Sequence, residues 1–345
     1  MNKRIKQSYI CKDVKDFSTR EQPAYIPRVG DVGIFEVLRT GKHTQMQNHE
    51  KRNAAIYPGD LIIAAFGTRY ATEQFEGYVP EQILDEYHIL GAGGTVGEIH
   101  SMHAKFLNIG PTTLKLKGFA VDNKNNIINT IGLKRSQMLQ YHGAMQSLTR
   151  VILSIGTSMD SGKTTTAAHL VRGLKKSGLT AGYMKLTGTV YTKDADLAFD
   201  NGADEVIDFS AMGFPSTYMC SEEELMNLYE TLLAKMDAPY LDYVVVEIAD
   251  GIYQRETEML LRNTKFMSGI DGVIFSAGDS LSAVQGVQAL QQMHIMPTAL
   301  CGLFTASPLL VREVQARLHT PIFNIAQMAE GACVRLLEQP MRVFA

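Results

Sequence analysis

Val151-Ile152-Leu153-Ser154-Ile155-Gly156-Thr157-Ser158-Met159-Asp160-Ser161-Gly162-Lys163-Thr164-Thr165 decides how the rest of the chain is read. Residues 151–155 are a short apolar run of strand length, and residues 163–176 follow at helical spacing. The tail Gly162-Lys163-Thr164 matches the ending of a phosphate-binding loop. In such a loop the backbone N–H groups face inward, and the following helix adds the positive end of its dipole. Gly156, Thr157, Ser158, Met159, Asp160, Ser161, Gly162 and Thr165 are therefore expected to form the cradle. Lys163 is expected as an exposed ammonium aimed at the outer phosphates, and the Thr164 hydroxyl as a ligand of Mg²⁺. The frame departs from the usual one: counting back from Gly162, the first glycine falls due at Thr157, yet it stands at Gly156. A chance glycine turn is the competing reading, and the strand before and helix after it argue against it.

Outward from this loop, strand and helix alternate. Apolar runs at 179–184, 243–248, 272–276, 298–304 and 322–325 read as strands, with helices near 281–293 and 308–318. Ser221-Glu222-Glu223-Glu224 has a serine followed three residues later by a glutamate, a capping-box start. Ser307-Pro308 places proline at a first helical position. Such alternation implies an α/β fold: a parallel sheet flanked by helices.

Two further stretches belong to the same crevice. Tyr243-Val244-Val245-Val246-Glu247-Ile248-Ala249-Asp250-Gly251 is an apolar strand ending in an acid. It puts a carboxylate at the carboxyl edge of the sheet, where it can hold Mg²⁺. Glu247 is the first choice and Asp250 the alternate; either acid could instead cap a helix starting near Tyr253. Gly182-Tyr183-Met184-Lys185-Leu186-Thr187-Gly188 ends a strand in a lysine, and Asp194 and Asp196 follow. Lys185 there can neutralise a substrate carboxylate or a transferring phosphoryl group, and Asp196, with Asp194 as alternate, can complete the metal shell.

Residues 1–148 read differently. Runs at 32–38, 61–66, 113–121 and 127–133 are strands, with turns at Pro58-Gly59-Asp60 and Gly91–Gly94 and a hairpin loop at Asp122–Asn126. This is expected to be a smaller β-rich domain, barrel or sandwich-like, joined near Gly143–Arg150 to a nucleotide-binding domain over residues 149–345. His100 and His103 sit at helical spacing and His43 and His49 flank a polar stretch, but no third donor stands in register, so a metal role is weakly supported.

The whole chain carries 33 Lys and Arg against 36 Asp and Glu, a net charge of −3, so no basic field points to nucleic acid. No apolar run reaches membrane-spanning length and no signal peptide is expected. Cys11, Cys220, Cys301 and Cys333 are scattered without a CxxC pair, which reads as reduced thiols in a cytoplasmic protein.

The loop Gly156–Thr164 resembles the GTxxxxGKT loop of dethiobiotin synthetase, including the early glycine. Gly182-Tyr183-Met184-Lys185 is similar to that family's GYxKP motif, with Leu186 in place of the proline, and the Glu247 strand to its VxxEGAGG strand. The resemblance spans roughly residues 150–330. It implies that Lys163 and Thr164 bind ATP and Mg²⁺, that Lys185 contacts substrate, and that Asp196 and Glu247 complete the metal site. Glu247-Ile248-Ala249-Asp250-Gly251 through Gln254-Arg255-Glu256-Thr257 also resembles the family known as domain of unknown function 1611, where Arg255 could meet a phosphate or form a surface pair with Glu256.

Three readings follow. The leading one is an ATP- and Mg²⁺-dependent enzyme, a ligase, synthetase or kinase-like protein, that activates a small carboxylate- or amine-bearing metabolite; by family analogy it is a homodimer. The second is an N-acyltransferase that holds coenzyme A on the loop. The third is a nucleotide-dependent switch with slow hydrolysis, resembling the molybdopterin-guanine dinucleotide accessory proteins. No [NT]KxD run is present, because Thr192-Lys193-Asp194-Ala195 fails at its last position, so guanine reading is unsupported. Ser158 occupies the place of the extra lysine of dimeric partition ATPases.

Overall fold

A computed structural model describes residues 5–143, 149–236 and 240–337. The chain divides into two compact units. The first comprises residues 1–138 together with Gly188–Thr192 and Phe209–Met219; the second comprises Leu139–Thr187, Lys193–Asp208 and Cys220–Ala345. The junction expected at 143–150 falls across residues 144–148, outside the described residues. Two short segments from within the loop-bearing half of the sequence are thus part of the first unit.

The first unit is built on a nine-stranded sheet that closes on itself. Leu61–Phe66, Val32–Arg39, Thr113–Val121, Tyr87–Gly91 and Thr95–Met102 pair in that order, and Thr95–Met102 pairs back onto Leu61–Phe66 through Thr95↔Ala65 and Val96↔Phe66. Closure leaves this ring without a free edge. Strand periodicity fills it: Ile62, Ala64 and Phe66 alternate into one core with Phe35, Val37, Tyr87, Ile89, Val96, Leu114 and Phe119. The β-rich reading of this region is correct. Residues 127–133 are the exception. They make bridges at Val121↔Ile127 and Asp31↔Asn129, then wind into a 3₁₀ helix at Gly132–Gln137. Asp122 explains the tight return, since its Oδ1 accepts from the N–H groups of Lys124 and Asn126 at 2.8 Å each.

The second unit is a six-stranded parallel sheet in the order Glu205–Asp208, Ala181–Lys185, Tyr243–Glu247, Arg150–Gly156, Gly272–Ser276, Ala299–Cys301. Helices Lys163–Lys176, Lys193–Asp200, Glu222–Lys235, Arg255–Arg262, Ser280–Gln292 and Pro308–Gln315 connect or follow its strands. The helix Lys163–Lys176 packs Ala167, Ala168, Leu170, Val171 and Leu174 into the core with Ile152, Tyr183 and Val245. Strands buried on both sides read as unbroken apolar runs, which is why residues 243–247 carry no polar alternation before Glu247. Ser221 and Glu224 form the expected reciprocal cap. Ile322–Ile325 is not a strand: it contributes one bridge, Leu300↔Ile322, and Asn324 then caps a helix at Ile325–Ala329 with Gln327 as its partner. An asparagine followed three residues later by a glutamine is a helix start, and it outweighs the short apolar run. Among the described residues no helix is long and apolar enough to cross a membrane.

Candidate functional site: a phosphate loop with a buried carboxylate

The loop leaves the strand Arg150–Gly156 at the carboxyl edge of the sheet and enters the helix at Lys163. Gly162 caps that helix with φ at +98°, a left-handed conformation that side chains rarely take. The early glycine also has a steric reason. A Cβ on Gly156 would stand 2.4 Å from Ser161 Oγ and 2.7 Å from the Ser276 carbonyl oxygen. The returning arm of the loop crosses the end of the strand there, so glycine is needed at 156 and not at 157. Ile252 N–H donates to the Gly156 carbonyl at 3.1 Å, tying the segment after Glu247 to the loop. Asp250 holds φ at +63° and Asp160 at +59°, conformations that aspartate tolerates better than most residues.

Lys163 is buried, contrary to the expectation of an exposed ammonium, because the loop wraps it. Its Nζ donates to the Ser158 carbonyl at 2.6 Å. Burial lowers its pKa; the carboxylates of Glu247, Asp250 and Asp160 act in the opposite sense and Lys185 adds to the lowering. The Ser161 hydroxyl is also buried and has no hydrogen-bond partner among the described residues. Buried polar groups are nearly always satisfied, and a phosphate oxygen in the cradle is a partner of the right kind. The residues present therefore fit a phosphate-bearing ligand.

Glu247 is the centre of the site. It is 2 % exposed and takes three contacts from two elements, the helix Lys163–Lys176 and the strand Ala181–Lys185. Thr164 Oγ1 donates to its Oε1 at 2.8 Å, Tyr183 OH donates to its Oε2 at 2.6 Å, and Lys185 Nζ stands 3.9 Å from Oε1. Register explains the convergence. Ser154 pairs with Glu247, Glu247 with Lys185, and Lys185 with Asp208, so these residues form one row across four parallel strands and share a face. Tyr183, two residues before Lys185, lies on that same face. Burial and the Glu247 charge push the Tyr183 phenol well above its ordinary pKa, so it stays a donor.

Lys185 is 13 % exposed at its side chain and forms an ion pair with Asp194 in the first turn of the helix Lys193–Asp200. Asp196 lies two residues on in that turn. The structure thus brings Lys163, Thr164, Lys185, Glu247 and Asp194 to one place, and puts Asp250 within electrostatic reach of Lys163. Among the described residues no three His, Cys, Asp or Glu side chains are gathered to hold a metal. Thr164 and Glu247 suit Mg²⁺ nonetheless, because that ion is usually held by one or two protein groups plus phosphate oxygens and water.

Around this centre some expectations need correcting. Arg255 and Glu256 do pair, but Glu256 is fully buried, so the pair is not one between two surface side chains. Arg255 Nη1 also donates to the Cys220 carbonyl at 2.9 Å. Gln254, not an acid, caps the helix Arg255–Arg262, its Oε1 accepting from Thr257 N–H at 3.0 Å. The helical spacing of His100 and His103 dissolves, as His100 is on the strand Thr95–Met102 and His103 caps a 3₁₀ turn. Tyr183 is the residue sequence reading passed over. Its signal was the i, i+2 spacing to Lys185 on a strand.

Two outcomes follow from the geometry. Tyr183→Phe removes one donor from a buried carboxylate, which should cost about 1–3 kcal/mol in urea unfolding. A cycle with Glu247→Gln should show coupling of at least about 0.5 kcal/mol; additive losses would mean that the phenol does not hold Glu247. Glu247→Gln keeps the shape and removes the charge. In an enzyme it should lower turnover by ~10²-fold or more while nucleotide affinity changes only a few-fold. Unaltered Mg²⁺ dependence in that variant would pass the metal role to Asp250.

No family model matches the chain, and no curated protein matches it. Solved structures are similar to part of it. A domain of unknown function 1611 family protein from Anabaena variabilis aligns at 11 % identity over 59 % of this chain and 61 % of its own, with a TM-score of 0.41. Chloroplast FtsY from Physcomitrella patens aligns at 16 % identity over 61 % of this chain and 72 % of its own, with a TM-score of 0.39. The hydrogenase maturation factor HypB from Archaeoglobus fulgidus aligns at 12 % identity over 60 % of this chain and 95 % of its own, with a TM-score of 0.35. The chain thus spans less than two thirds of the length of the first of these.

Proposed function

We propose that the chain is an ATP- and Mg²⁺-dependent enzyme that activates a small carboxylate- or amine-bearing metabolite by phosphoryl transfer, as its resemblance to dethiobiotin synthetase implies. The observation that carries this reading is the second cation. Lys185 approaches the Glu247 row from the strand beside it, whereas Lys163 approaches from the loop. Two ammonium groups on different elements can stabilise charge developing on a transferred group from two sides. Thr164 and Glu247 would hold Mg²⁺, which supplies charge neutralisation at the phosphates. The chain's own work is then binding and orientation, done by a loop and row whose side chains are fixed by burial and hydrogen bonds.

A nucleotide-dependent switch is the second reading. It is favoured by Gly188–Thr192 and Phe209–Met219, which flank in sequence the helix and edge strand after Lys185 and are part of the first unit. Thermal unfolding with ATP, GTP and coenzyme A, each with and without Mg²⁺, separates the ligand classes. A ligand at 100 times its Kd stabilises by about 2.7 kcal/mol. The expected result is an Mg²⁺-dependent rise in Tm with ATP. A rise with coenzyme A that ignores Mg²⁺ would replace this proposal with the acyltransferase reading.

A further inference from the structure

In the first unit the strand Thr113–Val121 has one continuous side and one interrupted side. The continuous side runs along Val32–Arg39. The other pairs with Tyr87–Gly91 only at Thr113↔His88 and Leu114↔Tyr87, and Ser18–Arg20 takes it up again at Phe119, Ala120 and Val121. Neither of these strands covers Lys115–Gly118, a window of roughly 13 Å at about 3.3 Å per residue. A bulge falls inside it: Leu116 pairs with Phe35 and Gly118 with Ile34, which leaves Lys117 as the extra residue.

Beside this window lies a cavity of about 380 Å³. That is a size small molecules fill, and the mouth of a closed sheet is a usual place for such a site. Tyr25, Leu84, Tyr87, Leu116 and Phe119 wall it. Tyr25 meets Phe119 edge-on at 5.2 Å, and its hydroxyl donates to Asp31 Oδ2 at 2.8 Å, which fixes the ring in place. An added peptide strand does not suit the window, because Tyr87–Gly91 and Ser18–Arg20 occupy the same side of the strand at its two ends.

Two donors at the cavity lack an acceptor. Tyr87 is 1 % exposed, and its hydroxyl accepts from the N–H of Leu84 at 3.2 Å. Among the described residues nothing takes the phenol's own proton. Burial raises the Tyr87 pKa and Asp85 adds to the rise, against the bond from Leu84, so that proton is retained at neutral pH. Lys115 is exposed and makes no ion pair or hydrogen bond among the described residues, whereas Lys117 stands 3.6 Å from Glu36. Glu21, exposed on the rim, would repel a second negative charge on a ligand.

We propose that this cavity binds a small apolar monocarboxylic acid, its hydrocarbon part against Leu84, Leu116 and Phe119 and its carboxylate on the Tyr87 proton and the Lys115 ammonium. Apolar walls supply the affinity, and a charge-assisted bond from Lys115 sets the preference for an acid. The site is separate from the phosphate loop and does not depend on what the loop binds.

The test is a titration of the full chain, labelled at its Ile and Leu methyl groups, with 3-phenylpropionate at neutral pH, followed by NMR. Saturable shifts are expected at Ile83, Leu84 and Leu116, with Leu303, beside the phosphate loop, unmoved. The neutral 3-phenylpropionamide should bind at least about 10-fold more weakly, and so should acetate, which lacks the apolar part. Lys115→Gln, a change on the surface, should weaken 3-phenylpropionate by at least about 10-fold and leave the amide's affinity as it was. Absence of saturable shifts at these three residues would overturn the site, as would shifts centred on Leu303. Equal affinity for acid and amide, or full affinity in Lys115→Gln, would overturn the recognition of a carboxylate.

Discussion

Lys163→Ala should weaken ATP binding by ~10²-fold or more, about 2.7 kcal/mol, with the fold intact. The loop is arranged around this ammonium. Its Nζ is drawn to the Ser158 carbonyl, an acceptor within the loop itself, and three acids lie within electrostatic reach. Charge-assisted hydrogen bonds to phosphate are among the strong ones, and burial keeps water from screening them. The effect on folding is small for a different reason from exposure. The substitution loses the bond to Ser158, worth about 1 kcal/mol, but also removes a charge whose burial is costly. Urea unfolding should therefore shift by no more than about 1 kcal/mol, and calorimetry should show the loss of affinity. Unchanged affinity would sink the phosphate-loop assignment; a large loss of stability would mean that the buried ammonium is part of the fold.

Lys185→Ala is the second large effect and separates enzyme from switch. In an enzyme, turnover should fall by roughly 10²-fold, the scale of removing one charge-stabilising group, while ATP affinity changes only a few-fold. The ion pair with Asp194 sets the control. Asp194→Asn leaves Lys185 in place but releases its tether, so it should lower turnover less than Lys185→Ala. Steady-state kinetics on both variants, beside ATP titrations, gives the comparison. If Lys185→Ala leaves turnover unchanged, the lysine serves the ion pair alone and the switch reading gains. Loss of ATP affinity equal to the loss of turnover would make Lys185 a nucleotide ligand.

Local chemistry made much of this legible in the sequence. A glycine before a lysine between an apolar run and a helical one has few other uses, and the helix Lys163–Lys176 starts and stops where its spacing says. The capping box at Ser221–Glu224 and the alternation of strand and helix are likewise local signals. They failed where a short apolar run met a stronger local competitor, as at Asn324, or where pairing has no local mark, as at residues 127–133.

By itself, then, the sequence determined the Gly162-Lys163 loop between strand and helix, the alternating α/β unit around it and the β-rich character of what precedes it, because each is marked by local signals of turn chemistry, caps and hydrophobic period. Only the tertiary structure decided that Ser154, Glu247, Lys185 and Asp208 share one row, since register is a relation between strands and one residue of slip would turn every side chain to the other face. The same holds for the burial of Lys163 and for the meeting of Tyr87 and Lys115 at one cavity. Those groups are brought together by folding, and their charges and exposure are properties of the assembled site.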